Sequence, residues 1–320
     1  MRITSENLLK FTQDFVQQRT ADDHSILSVY LTGGLCSDDP LWCSVVDVDL
    51  VFVHHSPPAV RQEVVPLLPE VYFDIEHHDQ ALYESTRAVR SDAILAPTVY
   101  GARSLYDIRH FFDFVQAGVR SQYDSPEYVY RRAAPLLQQA RRDWLGLHGQ
   151  PLSAAFFQGY LQIIAQGAQS LAVLADALLT PRRFVLQYGR ALVALQHEEL
   201  FQDFLSLLDA SQEVNLRDFL PDWLAAWPAG DDERPLQRDY FLSGIQALLD
   251  GDMPSAAVWP LLNTWTQSLQ SGRAPLDPWL AALQRLGLDD PAARLQALDR
   301  MLDATEQILE AWRNASGLTA

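Results

Sequence analysis

The stretch VYLTGGLCSDDPLWCSVVDVDLVFVHH, from Val29 to His55, places two acidic residues in a segment that otherwise has the pattern of a buried β-strand. Asp47 and Asp49 alternate with apolar residues in the run VVDVDLVFV. Acidic residues are depleted in strands, because an unpaired charge is costly to bury. Side chains two residues apart on a strand point to the same face, so these carboxylates repel each other unless a cation lies between them. The pair is therefore the principal candidate functional site.

The segments around this pair predict a small α/β unit over residues 1–125. Four strands are expected: SILSVYLT, which runs into a Gly-Gly pair; SVVDVDLVFV; EVYFDIEHHD; and RSLYDI at a sheet edge. The stretch CSDDPLW is expected to be an irregular connection between the first two strands. Apolar residues at helical spacing predict a helix over residues 5–19. The prolines of SPPAVRQEVVPLL predict a short helix over residues 56–68, entered through its first turn.

From Pro126 onward the pattern changes to long segments rich in Leu, Ala, Gln and Arg with a period of 3.6 residues. These segments predict an all-α helical bundle domain over residues 126–320. The helix candidates are residues 126–147, 154–179, 246–270 and 293–315. The predicted fold class is therefore α+β, with a small mixed-sheet domain followed by a helical bundle.

The composition narrows the classes of function. The net charge is −17, divided into −9 for residues 1–125 and −8 for residues 126–320. Such acidity argues against a nucleic-acid partner, which would require clustered Lys and Arg, and it suits a cationic ligand better. There is no apolar run of the ~18 residues that a membrane span needs, and we expect no membrane partner. The absence of a secretory signal and the presence of only two cysteines, Cys36 and Cys43, predict a cytoplasmic protein.

A divalent metal ion would resolve the repulsion between Asp47 and Asp49. Mg²⁺ prefers one or two carboxylates together with substrate phosphates and water, and a third acid would complete a two-metal clamp. In VYFDIEHH, Asp74 lies on the face opposite to its apolar neighbours, and Glu76 shares that face as the alternative. Gly33 and Gly34 offer bare backbone that a triphosphate can approach closely.

A strand, a Gly-Gly pair, an apolar-Asp-apolar-Asp strand and a later strand with a third Asp resemble the nucleotidyltransferase fold of the DNA polymerase β superfamily. The chain is most similar to small bacterial nucleotidyltransferases of the aminoglycoside type, which have a helical C-terminal domain. By this resemblance Gly33 and Gly34 hold the nucleotide phosphates and Asp47 and Asp49 bind metal. Asp74 binds metal and helps to activate the acceptor. The implied cofactor is Mg²⁺, with two ions expected, and the implied substrate is ATP or another nucleoside triphosphate.

The leading hypothesis is therefore a Mg²⁺-dependent enzyme that moves a nucleotidyl group to a hydroxyl of a small molecule or protein, and the expected group is AMP from ATP. The negative charge favours a cationic acceptor such as an aminoglycoside. Two features depart from the family pattern: Gly34 stands where a serine is usual, and acidic and aromatic residues occupy the connection to Asp47. They leave open an inactive nucleotide-binding or antitoxin-like relative that acts as a regulatory module. A polymerase is disfavoured by the charge.

Other candidate residues carry weaker signals. Arg103, Arg87 or Arg90 could meet a phosphate, and Glu198 or Glu199 could supply an acceptor-side base. The pairs His54-His55 and His77-His78 end two predicted strands and could meet at a transition metal, although paired surface histidines are the commoner arrangement.

Overall fold

The structure is a computed structural model that describes residues 4–36, 46–68, 71–208, 214–227, 234–270 and 275–318. The chain divides into two compact units, Met1–Tyr128 and Val129–Ala320. The connection predicted after Cys36, together with Cys43 and the first residues of the following predicted strand, lies outside the described residues. Within the described ranges, no helix is both long enough and apolar enough to cross a membrane.

A single five-stranded sheet organises the first unit, with strand order β3-β4-β2-β1-β5. The strands are β1 (Ile26–Thr32), β2 (Val46–His54), β3 (Gln62–Leu68), β4 (Val71–Asp79) and β5 (Arg103–Asp107). β2 runs parallel to β4, and the other neighbouring strands are antiparallel. The mixed sheet confirms the predicted α+β class. β2 is the central strand, which explains the continuous apolar run from Leu50 to Val53, because both faces of this strand are covered.

Helices cover both faces of this sheet. They are α1 (Ser5–Asp22), α2 (Thr86–Ser91), α3 (Leu95–Gly101) and α4 (Phe111–Arg120). α1 packs on the face that carries Leu50 and Phe73, and we call it the α1 face. α2, α3 and α4 pack on the opposite face, which carries Tyr30 and Val51, and we call it the α4 face. Each face is fixed by an aromatic stack: Phe15 on Phe73, with ring centroids 4.4 Å apart, and Tyr30 on Phe112, at 4.3 Å.

One predicted helix of this unit is wrong. The segment 56–68 forms no helix, and its second half is the edge strand β3. The β-branched pair Val64-Val65 favours a strand, and Pro66 is tolerated because an edge strand has one side without a hydrogen-bonded neighbour. The other predicted strands correspond to β1, β2, β4 and β5, with β5 at the opposite edge.

The second unit is helical. Its elements are α5 (Pro126–Leu147, which begins within the first unit), α6 (Ala154–Leu174), α7 (Phe184–Leu195), α8 (Leu200–Leu207), α9 (Leu220–Ala225), α10 (Arg234–Leu249), α11 (Val258–Gln270), α12 (Leu276–Arg285) and α13 (Pro291–Ala315). α6 is buried along most of its length and packs against α7, α11 and α13. The single helix expected over residues 246–270 is wrong: α10 ends at Leu249, and a short 3₁₀ turn precedes α11. Pro254 at the start of that turn has no N–H with which to continue a helix.

Candidate carboxylate site

The register of the sheet brings the predicted acids together. Asp49 of β2 pairs with Asp74 of β4, and Asp47 pairs with Tyr72. Residues paired across a ladder share a face, and neighbouring strands lie ~4.8 Å apart. Val48 and Leu50 point to the α1 face, so these acids occupy the α4 face. Asp47, Asp49 and Asp74 are each partly exposed, and the ladder sets Asp49 directly beside Asp74 with Asp47 two residues along β2.

The Gly-Gly pair packs directly against Asp49. Gly33 follows β1, begins a 3₁₀ turn that ends at Cys36, and has φ of +66°, the left-handed conformation that favours glycine. A Cβ on Gly33 would overlap Oδ2 of Asp49. The backbone N–H of Gly34 donates to the same oxygen at 3.4 Å. The turn and the carboxylate therefore fit each other only because position 33 is glycine.

The next strand contributes a hydroxyl beside the carboxylates. Thr32 is the register partner of Asp49 on β1, and its hydroxyl donates to the carbonyl oxygen of Thr98 on α3 at 3.4 Å. Asp49 is thus flanked in the sheet by a threonine on one side and by Asp74 on the other. The sequence pattern did not indicate Thr32 as a site residue, because its position beside Asp49 follows from the pairing of β1 with β2.

Cys36 is the last residue of the turn that Gly33 begins. Its thiol donates to the carbonyl oxygen of Leu31 at 3.5 Å. The pKa of this thiol is raised, first by burial, which outweighs a hydrogen bond from the backbone of Arg103, and also by the negative charge of Asp49. The register pairs Arg103 with Leu31, a residue of the α1 face. The positive charge of Arg103 lowers the pKa of the same Cys36 thiol that the charge of Asp49 raises, and its contact with a phosphate stays a prediction.

Asp74 and Glu76 have different partners, although both lie on the α4 face. Oδ1 of Asp74 accepts a hydrogen bond from Nε2 of Gln62 at 2.8 Å. Glu76, which is the register partner of Val51, is bonded through Oε2 to Nε2 of His78 at 2.9 Å. Glu76 is therefore committed to a histidine and lies one pleat repeat away from Asp49. Asp74 is the acid that the ladder sets directly beside Asp49.

The donor set suits Mg²⁺ better than a transition metal. Among the described residues, no three or more His, Cys, Asp or Glu side chains converge in an arrangement that could hold a metal ion. Mg²⁺ needs fewer protein ligands, because water and substrate phosphates complete its octahedron around one or two carboxylates. Asp49 and Asp74 provide such a pair of oxygen ligands, with Asp47 on the same face. The residues thus fit a magnesium ion that is bound together with a triphosphate.

The histidines form a separate cluster on the α1 face. Nε2 of His54 lies 2.9 Å from Nδ1 of His77, and Nδ1 of His54 is hydrogen-bonded to the hydroxyl of Ser25 at 2.9 Å. Nε2 of His77 lies 3.3 Å from Glu63 on β3, and Glu63 is paired with Arg19 of α1 at 2.8 Å. We call these five residues the histidine chain. His54 and His77 do meet, but all four ring nitrogens are hydrogen-bonded, so neither ring offers a lone pair to a metal.

The electrostatics of the histidine chain favour a neutral His54 ring and a charged Glu63 carboxylate. Burial lowers the pKa of His54, with a further contribution from the neighbouring His77. The hydrogen bond from His77 and the positive charge of Arg19 hold the pKa of Glu63 below its usual value. Hydrogen bonds from Ser25 lower the pKa of Asp23, whose carboxylate lies 3.9 Å from His54. The polar groups of the histidine chain are therefore hydrogen-bonded or ion-paired to one another.

Two other candidates have structural partners. Arg90 is buried and donates to the carbonyl oxygen of Gly118 and to Gln122, so it ties α2 to the C-terminal end of α4. A cation in that position complements the helix dipole. Glu199 lies at the start of α8 in the second unit and pairs with His197 at 3.0 Å.

The sequence alone did not indicate Gln62. It lies in the segment that was predicted to be a helix, and its contact with Asp74 requires β3 to pair with β4. The usable signal was the valine pair that follows it, which favours a strand and would have placed Gln62 on the same face as Val64.

Comparison with known protein families and with curated proteins finds no match to this chain. The assignment of a function therefore depends on the geometry of the carboxylate face and on the chemistry that its residues can perform.

Proposed function

We propose that the protein is a Mg²⁺-dependent nucleotidyltransferase that moves AMP from ATP to a hydroxyl of a small molecule or protein. The observation that carries the proposal is the pairing of Asp49 with Asp74 across parallel strands, with Gly33 packed on Asp49. Like charges in register cost folding free energy unless a ligand offsets the repulsion. A cation with an anionic substrate is the ligand that fits both the acids and the bare turn.

The residues of this chain have distinct parts in such a reaction. Asp47, Asp49 and Asp74 would hold the metal, which, when bound, supplies positive charge that neutralises the triphosphate oxygens. The left-handed turn at Gly33 would let the phosphates approach the backbone without the obstruction of a Cβ. The N–H of Gly34 now bonds Asp49 and would be exchanged to a phosphate oxygen as Asp49 turns to the metal.

Asp74 would receive the proton of the acceptor hydroxyl. The hydroxyl oxygen forms a bond to the α-phosphorus as the bond from that phosphorus to the β-phosphate oxygen breaks, and pyrophosphate leaves. The hydroxyl proton passes to the Asp74 carboxylate and then to water. Positioning of the two reactants and stabilisation of the developing charge would supply most of the rate enhancement.

The test is release of pyrophosphate from ATP and Mg²⁺ across a panel of acceptors: aminoglycosides, neutral polyols and proteins with exposed hydroxyl side chains. Wild-type protein should release pyrophosphate with at least one acceptor, and Asp49→Asn should not. Asp14→Asn, on the exposed side of α1, removes the same charge elsewhere and should behave as wild type. Equal release by Asp49→Asn would exclude this site.

The choice between the two acids of β4 sharpens the proposal. Asp74→Ala should abolish transfer, because it removes the acid beside Asp49. Glu76→Ala should keep substantial activity, because Glu76 is bonded to His78 instead. The reverse result would mean that the reacting groups lie one pleat repeat further along β4.

The absence of a hydroxyl at Gly34 supports one second function: a nucleotide-binding module without turnover. Binding of ATP and Mg²⁺ that depends on Asp49, with no pyrophosphate released to any acceptor, would favour that function over transfer.

A further inference from the structure

The edge strand β3 places an amide against the third carboxylate. Gln62 lies directly opposite Glu76 in the antiparallel ladder, whereas Val64 is the register partner of Asp74. The side chain of Gln62 nonetheless reaches diagonally and donates from Nε2 to Oδ1 of Asp74 at 2.8 Å. Diagonal neighbours in a ladder are ~7–8 Å apart, within the reach of a long side chain.

The two acids of β4 are thereby held by different groups. His78 engages Glu76 at 2.9 Å, so the amide of Gln62 acts on Asp74, the acid in register with Asp49. A carboxylate on a strand can rotate about two side-chain bonds, and a hydrogen bond to one oxygen restricts that rotation. The restriction matters at Asp74 because its neighbour on β2 is another acid that repels it.

We infer that Gln62 is a positioning residue, which holds the Asp74 carboxylate in the orientation that faces Asp49 and the bound substrates. This inference rests on the proposed function. Gln62 takes no part in the bond changes and acts through its hydrogen bond to Asp74.

The expected consequences are unequal for stability and for chemistry. The Gln62 side chain is exposed, and an exposed hydrogen bond contributes little to stability because water replaces the lost partner. A misplacement of about 1 Å at a reacting group, in contrast, can cost ~10²-fold in rate. Loss of a group that orients a metal ligand typically costs about 10–100-fold in metal affinity or activity.

The variant that tests this is Gln62→Met, which keeps the length of the side chain and removes the donor. Its matched control is Gln80→Met, since Nε2 of Gln80 also makes an exposed hydrogen bond of 2.8 Å, to the carbonyl oxygen of His55. For Gln62→Met, kcat should fall about 10–100-fold while the KM for ATP stays close to that of wild type and the melting temperature is unchanged. Gln80→Met should leave all three unchanged.

Two measurements do not depend on turnover. The affinity for Mn²⁺, measured calorimetrically with a non-hydrolysable ATP analogue, should fall about 10–100-fold in Gln62→Met and should be unchanged in Gln80→Met. Crystal structures should show the Asp74 carboxylate in one orientation in the wild type and in a different orientation, or in several, in Gln62→Met.

The outcomes separate this inference from the proposed function. If the wild type transfers AMP and Gln62→Met equals Gln80→Met in kcat and Mn²⁺ affinity, the positioning role is wrong and the enzyme proposal stands. If the wild type binds Mn²⁺ without turnover, the Mn²⁺ affinities and the orientation of Asp74 decide the role of Gln62. If the wild type binds neither Mn²⁺ nor the ATP analogue, both are overturned.

Discussion

The two faces of the small sheet each carry a polar cluster. Neighbouring groups complement each other in one cluster, and two acids are neighbours in the other. On the α1 face, the histidine chain alternates acceptors and donors from Ser25 to Arg19, and the acid Glu63 lies between a histidine and an arginine. On the α4 face, the register partners Asp49 and Asp74 are both acids. A chain of complementary partners stabilises the fold by itself. Like charges in register are a local cost, and such costs are expected at functional sites.

The difference also extends to the backbone beneath each cluster. The histidine chain consists of three residues on β2, β3 and β4 together with Ser25 and Arg19, and none of the five has a positive φ. The carboxylate face includes Gly33 at φ of +66°, a conformation that other residues rarely adopt, held against Asp49. The histidine chain therefore requires side chains that complement one another in hydrogen bonding and charge, whereas the carboxylate face requires glycine at position 33.

The largest expected effect follows from removing one charge on the carboxylate face. Asp47→Asn or Asp49→Asn should abolish transfer, a loss at least as large as the roughly 10²–10³-fold typical of removing one group that stabilises the transition state. Stability of the free protein should be kept or raised, because one charge of a repelling set is gone. The measurement is a thermal scan with and without Mg²⁺ and ATP: the wild type should gain stability from the ligands, and the variants should not. An equal gain in the variants would show that these acids are not metal ligands.

Next in size is the effect of a single methyl group at the turn. Gly33→Ala must adopt a left-handed conformation and displace Asp49, so transfer should fall about 10²-fold, as for a misplacement of about 1 Å at a reacting group. Gly149→Ala is the matched control, because Gly149 has φ of +77° and open space around its Cα. The control should cost only about 1–2 kcal/mol of unfolding free energy and leave transfer unchanged. Equal effects on transfer would mean that contact with Asp49 has no role.

The sequence predicted part of the carboxylate face. The alternation of apolar and acidic residues around Asp47 and Asp49 predicted a strand with both carboxylates on one face. Side chains two residues apart on a strand point the same way, whatever the neighbouring strands are. The apolar neighbours of Asp74 predicted its side of β4 in the same way. Whether Asp74 or Glu76 lies beside Asp49 could not be predicted, since the register of a parallel pair depends on the connection between the strands.

The histidine chain was less accessible from the sequence for a physical reason. His54-His55 and His77-His78 each look like a pair, but the pleat sends His77 and His78 to opposite faces. Glu63, a member of the chain, and Gln62 lie on β3, and the prolines that precede this strand are typical of the first turn of a helix. Because β3 was predicted as a helix, the sequence did not place Glu63 beside His77 or Gln62 beside Asp74.

A smaller effect is expected from breaking the histidine chain. His54→Leu removes the partner of both Ser25 and His77 and should lower the unfolding free energy by about 1–3 kcal/mol, the cost of leaving a buried polar group without a partner. Transfer by the folded protein should be unchanged, because the change lies on the α1 face. Urea unfolding of His54→Leu, with His24→Leu at an exposed position as control, measures the first. A large loss of transfer with no loss of stability would contradict the division between the two faces.

The smallest expected effect is the dependence of stability on pH, and it distinguishes the faces without deleting a side chain from the catalytic set. Burial and the neighbouring His77 lower the pKa of His54 in the folded state, so the folded protein binds this proton less readily than the unfolded chain. The contribution of His54 is therefore complete above about pH 6.5, the ordinary pKa of histidine, and is lost as the pH falls from there toward the lower folded-state value. The lowered pKa values of Glu63 and Asp23 act in a separate window, because their contributions are lost only below the ordinary range of carboxylates.

Urea midpoints at pH 7.5, 6.5 and 5.5 should therefore fall more steeply for the wild type than for His54→Gln, whose amide keeps polar contacts and does not titrate, whereas His24→Gln should follow the wild type. Parallel slopes for all three proteins would mean that folding does not lower the pKa of His54.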